Sequence, residues 1–231
     1  MPILKSSYKP NFIFRSTHFN TIYKTLFLKQ KINYQRKRLD TPDNDFIDLD
    51  FSMVNSETAV IALHGLEGSS KSKYILSATQ FLNNNNIDVV AVNFRGCSGE
   101  DNLHMHSYNS GKTDDLDTII NYISTNCNYK NLILLGYSMG GNIALKYLGE
   151  VKENTIIKGS VAISVPCDLE GSSTALGKAH NYIYINRFLR TLKQKSLLKL
   201  QRLLCPMYFS VVFAFVLPNE QTNARERQRQ P

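Results

Sequence analysis

The sequence predicts an α/β architecture, a mostly parallel sheet with helices on both faces. Short apolar strand-like runs recur at 58–63, 89–94 and 132–135, the first uninterrupted, which is how strands buried on both faces of a parallel sheet read, and a further β-branched strand follows at 157–165. Stretches with helical spacing separate these runs, and alternation of strand and helix implies parallel pairing through crossovers. A Gly-x-Ser-x-Gly turn at 136–140 falls between one such strand and one such helix.

The elements follow in order. Residues 1–39 carry nine Lys or Arg and no Asp or Glu, so they are set apart as a basic N-terminal segment. In TPDNDFIDLDF (41–51) a turn precedes Ile47, Leu49 and Phe51, which alternate with acids as in an amphipathic strand. TAVIAL (58–63) is a buried strand ending in His-Gly, followed by a Gly/Ser-rich loop over 65–72. Residues 74–82 have helical spacing and stop at the Asn run 83–86, and 89–94 is the next strand. The helix over 113–123 opens with Asp114, Asp115 and Asp117, where carboxylates favour the positive end of the helix dipole. Strand 132–135, helix 140–148 and strand 157–165, closed by Pro166, complete a core at 40–166.

Residues 167–202 read as a basic, mostly helical cap-like region, and 203–231 as a divergent end, an apolar run and then a polar tail. The apolar run 203–217 has fifteen residues and contains Pro206, short of the roughly 20 that span a bilayer. A buried strand over 208–217 is expected instead.

The net charge of +8 is unevenly placed. From Asp40 to Glu170 there are eight basic and seventeen acidic residues, a net of −9, so the basic character belongs to the flanks. A nucleic-acid binder would concentrate it on the folded body, and no nucleic-acid partner is expected. Basic residues interleaved with Phe12, Phe14, Phe19, Tyr23 and Phe27 suit either peripheral contact of 1–39 with an anionic membrane or an arm laid on the acidic body. The four cysteines show neither CxxC nor zinc-like spacing, and the N-terminus lacks the apolar stretch of a secretory signal. A reduced, cytoplasmic chain is expected.

The chemistry centres on GYSMGGN (136–142). In a nucleophile elbow the turn is so tight that the serine adopts strained backbone angles, and the flanking glycines remove side chains that would clash. Ser138 is then the nucleophile, and the Met139 amide at the following helix start binds an oxyanion. HGLEGSS (64–70), at the end of an earlier strand, supplies the second oxyanion amide at Leu66, with His64 fixing the loop. The same loop nearly matches a P-loop, G-x-x-x-x-G-K-S over 65–72, but Ser70 replaces the second glycine and nucleotide hydrolysis is the weakest alternative. His104 and His106 lack a third metal ligand at useful spacing, and Cys97 reads as a packed thiol, so neither a metal nor a cofactor is implied.

HGLEGSS, NFRGCSGEDN, SGKTDDL, GYSMGGNIALKYLGE and SVPCDLEGSS, in this order, resemble the YheT-like branch of the α/β-hydrolase superfamily, with its esterase, lipase and acyltransferase relatives. The resemblance covers roughly 7–199. It implies the α/β-hydrolase fold lacking its last strands, and a serine hydrolase acting on acyl esters, fatty-acyl esters foremost. It also implies an acid after the seventh strand and a His after the eighth, which this chain stops before. Some members of the superfamily place the acid after the sixth strand, where Asp168 stands, so Asp168 with His180 is a candidate substitute triad, the alternative being that this stretch is, as in the family, a turn followed by cap helices. Impaired activity is expected without the usual pair, the alternative being a catalytically silent hydrolase-like binding protein.

Overall fold

The computed structural model describes residues 3–16, 19, 23, 30–151 and 156–216, without side chains at 180, 183 and 201–216. The chain divides into two compact units, Met1–Ala175 and Leu176–Pro231.

The first unit is built on a six-stranded sheet. Its strands are β1 (Gln35–Asp40), β2 (Phe46–Ser52), β3 (Thr58–Leu63), β4 (Asp88–Asn93), β5 (Asn131–Tyr137) and β6 (Ile157–Ile163), in the order β1-β2-β4-β3-β5-β6. β4, β3, β5 and β6 are parallel, whereas β2 runs antiparallel to both β1 and β4. Helices α1 (Lys73–Asn84), α2 (Asp114–Asn126) and α3 (Met139–Glu150) connect the parallel strands, and α4 (Leu169–Leu176) follows β6. Ala62, Val89 and Ala91 pack with Ile75 of α1 on one side of the sheet. Ile61, Leu63, Val90, Val92, Leu132 and Leu134 pack on the other with Leu116, Ile119, Ile120 and Ile123 of α2 and Ile143 of α3. The apolar runs thus serve two helical layers, as expected of a doubly covered sheet.

β1 crosses the expected boundary at 39/40. Its register sets Arg36 opposite Asp50 and Arg38 opposite Asp48, and bidentate pairs form, Arg36 to Asp50 at 2.7 and 2.9 Å and Arg38 to Asp48 at 2.8 and 2.9 Å. Two of the nine basic residues in 1–39 therefore neutralise acids of the core, and Asp48 and Asp50 are buried. β2 is buried along its whole length rather than alternating between core and solvent.

The second unit contains a 3-10 turn (Ala179–Asn181) and the long α5 (Tyr182–Val216). The strand expected over 208–217 is thus corrected: the backbone is helical through Val216. A helix satisfies its N–H and C=O groups within its own segment, whereas a strand needs a neighbour to pair with. Among the described residues no helix is long and apolar enough to cross a membrane.

Candidate active site

β5 ends at Tyr137 and α3 begins at Met139, so Ser138 alone makes the turn, with φ 52° and ψ −120°. A side-chain-bearing residue held in such a conformation costs about 1–3 kcal/mol and persists only where its surroundings over-determine it. Here the Ser138 amide donates to the Ile163 carbonyl at 2.8 Å, and the Ser138 carbonyl accepts from the Asn142 amide at 3.1 Å. A Cβ on Gly136 would stand 2.4 Å from Gly141 Cα, and one on Gly140 would stand 2.5 Å from the Leu63 carbonyl oxygen. Only glycines let the start of α3 press against β5 and the end of β3. Ser138 is left exposed, beside first-turn amides that have no helical carbonyl to bond.

The loop after β3 lies at the same place. Leu63 pairs with Gly136, so both strands finish side by side, and a Cβ on Gly65 would be 3.2 Å from Ser138 Cβ. The loop is braced on three sides. Nε2 of the fully buried His64 accepts from the Phe94 amide at 3.2 Å, which assigns the ring proton to Nδ1, 2.7 Å from the Gly65 carbonyl oxygen. The Gly65 amide donates to Tyr74 Oη at 3.0 Å. The Glu67 amide donates to Tyr108 Oη, whose hydroxyl donates back to Glu67 Oε1, both at 2.8 Å. Burial pushes the Tyr108 hydroxyl far above its ordinary range, so it stays protonated. Between these tied groups the Leu66 amide has no acceptor among the described residues.

Further along, Ser70 donates from its amide to Asn93 Oδ1 at 3.0 Å and from its hydroxyl to Asp50 Oδ2 at 2.5 Å. A buried carboxylate under this turn opposes a phosphate, which argues against the near P-loop reading. His106 is exposed, with Nδ1 3.2 Å from Asp43 Oδ2. Cys97 is half-buried against the main core.

Asp168 is exposed and caps α4: its Oδ1 accepts the Gly171 amide at 2.9 Å and its carbonyl accepts the Ser172 amide at 3.0 Å. His180 belongs to the second unit, and its side chain lies outside the described residues. The structure therefore brings together the loops of Ser138, Met139 and Leu66, but it does not place Asp168 and His180 as a pair. Tyr74 and Tyr108 were not legible as site residues. Neither sits in a motif, and only the Gly-rich loop they brace hints that something must hold it.

Beside the site, Arg95 is almost completely buried among Asp43, Asp45 and Asp115. Its guanidinium reaches Asp115 at 2.9 and 2.7 Å, Asp43 at 2.8 and 3.0 Å, and Asp45 at 3.4 Å. Hydrogen bonding to Asp115 is the main influence holding Arg95 charged, and the Arg95 bonds hold the Asp43 carboxyl far below its ordinary range.

Comparison with known proteins bears on the family and the fold. Residues 55–210 match the family described as serine aminopeptidase, S33. The chain is 30% identical to YheT of Escherichia coli over 192 residues, covering 81% of this chain and 56% of that protein. It is 29% identical to the phospholipase ABHD3 of Bos taurus over 208 residues, covering 86% of this chain and 51% of the relative. The chain thus spans about half the length of these curated relatives. Among solved structures, an esterase of Pyrococcus furiosus superposes with a TM-score of 0.55 at 24% identity, over 68% of this chain and 63% of the other. By the match over 55–210 and the identity to YheT, this chain belongs to the serine aminopeptidase S33 family of the α/β-hydrolase superfamily.

Proposed function

We propose that this chain carries the nucleophile and oxyanion site of a carboxylic ester hydrolase acting on acyl esters. The observation that carries the reading is Ser138, exposed at φ 52° with the Gly65 loop at van der Waals distance. Ser138 Oγ attacks the acyl carbonyl carbon as its proton passes to a base. The amides of Leu66 and Met139 receive the negative charge that develops on the carbonyl oxygen. Collapse expels the alcohol and leaves an acyl-enzyme that water hydrolyses. Fatty-acyl esters are the favoured class, a reading supported by relatives named phospholipase and monoacylglycerol lipase. Asp168 and His180 are the candidate acid and base to test; Asp168 Oδ1 also accepts the Gly171 amide at the start of α4.

The test is covalent labelling. Incubation with a 4-nitrophenyl alkylphosphonate is expected to release one nitrophenolate per chain and to add the phosphonyl mass to the peptide containing Ser138, with no adduct in Ser138→Ala. A chain that forms no adduct at Ser138 refutes the hydrolase reading and favours a catalytically silent binding protein.

Peripheral membrane contact is the second part of the proposal. It rests on residues 3–16, where Ile3, Leu4, Tyr8 and Phe12 are exposed among Lys5, Lys9 and Arg15. Such a segment suits an anionic surface in a reducing, cytoplasmic compartment. Vesicle sedimentation that ignores both anionic lipid content and salt refutes it.

A further inference from the structure

We propose that Tyr74 is a positioning residue that holds the His64–Gly65 peptide, and with it the Leu66 amide that follows, in register with Ser138, an inference that rests on the nucleophile reading of Ser138. Tyr74 stands in the first turn of α1 and touches both halves of the site. Its hydroxyl oxygen accepts the Gly65 amide at 3.0 Å. Its ring lies against that of Tyr137, with centroids 4.8 Å apart and planes inclined by 47°, and Tyr137 is the residue before the elbow serine. A single side chain therefore ties the loop after β3 to the end of β5.

The hydroxyl has a specific task. Three consecutive amides, those of Gly65, Leu66 and Glu67, sit where β3 ends, and any of them could turn toward a developing oxyanion. Tyr74 engages the first and Tyr108 the third, while His64 Nδ1 holds the Gly65 carbonyl from the other side. Only the Leu66 amide is left without an acceptor among the described residues. The loop backbone has been shaped around the same hydroxyl: a Cβ on Gly68 would stand 2.7 Å from Tyr74 Oη. Without that oxygen the Gly65 amide loses its acceptor, and the His64–Gly65 peptide that leads into Leu66 loses one of its ties. Oxyanion stabilisation depends on donors fixed at hydrogen-bond distance before charge develops, and misplacement by about 1 Å costs up to roughly a hundredfold in rate.

Tyr74→Phe removes the acceptor and keeps the ring against Tyr137. In the full chain, phosphonylation of Ser138 is resolved into a maximal rate and an apparent binding constant, with thermal melting measured in parallel. The expected result is a maximal rate lowered about tenfold with the binding constant changed less than about twofold, since the perturbed group acts on developing charge rather than on the bound probe. An unchanged maximal rate, or a change confined to the binding constant, overturns the positioning role while leaving the nucleophile reading intact. Absence of any adduct in the unmodified chain overturns both. Amide-resolved hydrogen exchange on the unmodified protein needs no variant to fold. The Gly65 and Glu67 amides are expected to exchange more slowly than Leu66, and a Gly65 amide that exchanges as fast as Leu66 overturns the proposal.

Discussion

Replacing Arg95 with Met removes a buried cation and leaves its three carboxylates in place. Arg95 is 4% exposed, and Asp45 and Asp115 are 2% and 7% exposed. The two do not suffer equally. Asp45 keeps Asn102 Nδ2 at 2.8 Å and the amides of Phe46, Leu103 and His104 at 2.9, 3.0 and 3.2 Å. Asp115 keeps only the more distant Lys112, at 4.0 Å, as an ionic partner among the described residues. Breaking a buried ion pair from one side costs about 3–5 kcal/mol, because the remaining charge is uncompensated. Asp45's four donors place the expected loss near the lower end, on the order of 3 kcal/mol, or about 10 °C in Tm for a domain of this size. The pH dependence follows from direction. Burial pushes the Asp45 carboxyl up, but the Leu103 amide and Asn102 lead the bonds that bring it below its ordinary value, and Arg95 holds Asp43 lower still. Depressed carboxyls contribute stability above the unfolded pKa, about 3.9, and lose it as pH falls through their folded values. In Arg95→Met the same carboxyls titrate higher and relieve their repulsion by taking up protons. The deficit against the unmodified protein is therefore full at pH 7 and shrinks below about pH 5. Urea unfolding of both proteins at pH 7 and pH 4 measures it. A deficit under about 1 kcal/mol at pH 7, or one that widens on acidification, refutes the reasoning.

Two further substitutions test the elbow. Gly140→Ala sets a Cβ against the Leu63 and His64 carbonyl oxygens, at 2.5 and 2.6 Å, where no flexible side chain can yield. It is expected to cost about 1–3 kcal/mol in urea unfolding and to slow Ser138 labelling, whereas Gly149→Ala, with open space around its Cβ, gains up to about 1 kcal/mol on the same helix. Equal stability of the two variants contradicts the close approach. Ser138→Gly releases the φ 52° strain and is expected to stabilise the chain by about 1 kcal/mol in the same assay while abolishing the adduct; a lower unfolding free energy than the parent's refutes the strain.

How much of this was legible depended on whether one residue's environment could be inferred without its partner. The apolar runs that became β3, β4 and β5 needed no partner to be recognised, because burial on both faces leaves no polar alternation to misread. The elbow was legible for a different reason: its glycines are demanded by contacts within 136–141 and with the adjacent β3 end. β1, with the sequence QRKRLD, was not, because an edge strand made of charges looks like a solvated arm until β2 is known to present Asp48 and Asp50 in register. The same pairing misled the reading of β2, whose acids suggested a solvent face and are instead covered by arginines. The end of α5 was misassigned because aromatic and β-branched residues at 208–216 favour a strand only where a neighbouring strand exists to receive them.

The residues that hold the site explain why its two halves differ in how firmly they are specified. In the proposed site Ser138, Met139 and Leu66 would act through a hydroxyl and two amides whose positions follow from backbone path, and that path is fixed by β3, β5 and α3 together with His64, Tyr74 and Tyr108. Proton transfer, in contrast, needs an imidazole side chain brought to Ser138 Oγ, a side-chain position that backbone path alone does not fix. The division matters chemically. In a well-studied serine protease, oxyanion binding and substrate positioning without the triad still leave about 10³–10⁴-fold acceleration over water, while the triad contributes on the order of a millionfold. A reactive phosphonate places its negative oxygen among the amides and depends on them from the first bond-forming event. Its reaction with Ser138 therefore draws on the braced amides and on a base that accepts the Ser138 proton once, whereas turnover of an ester needs that proton accepted and returned in every cycle.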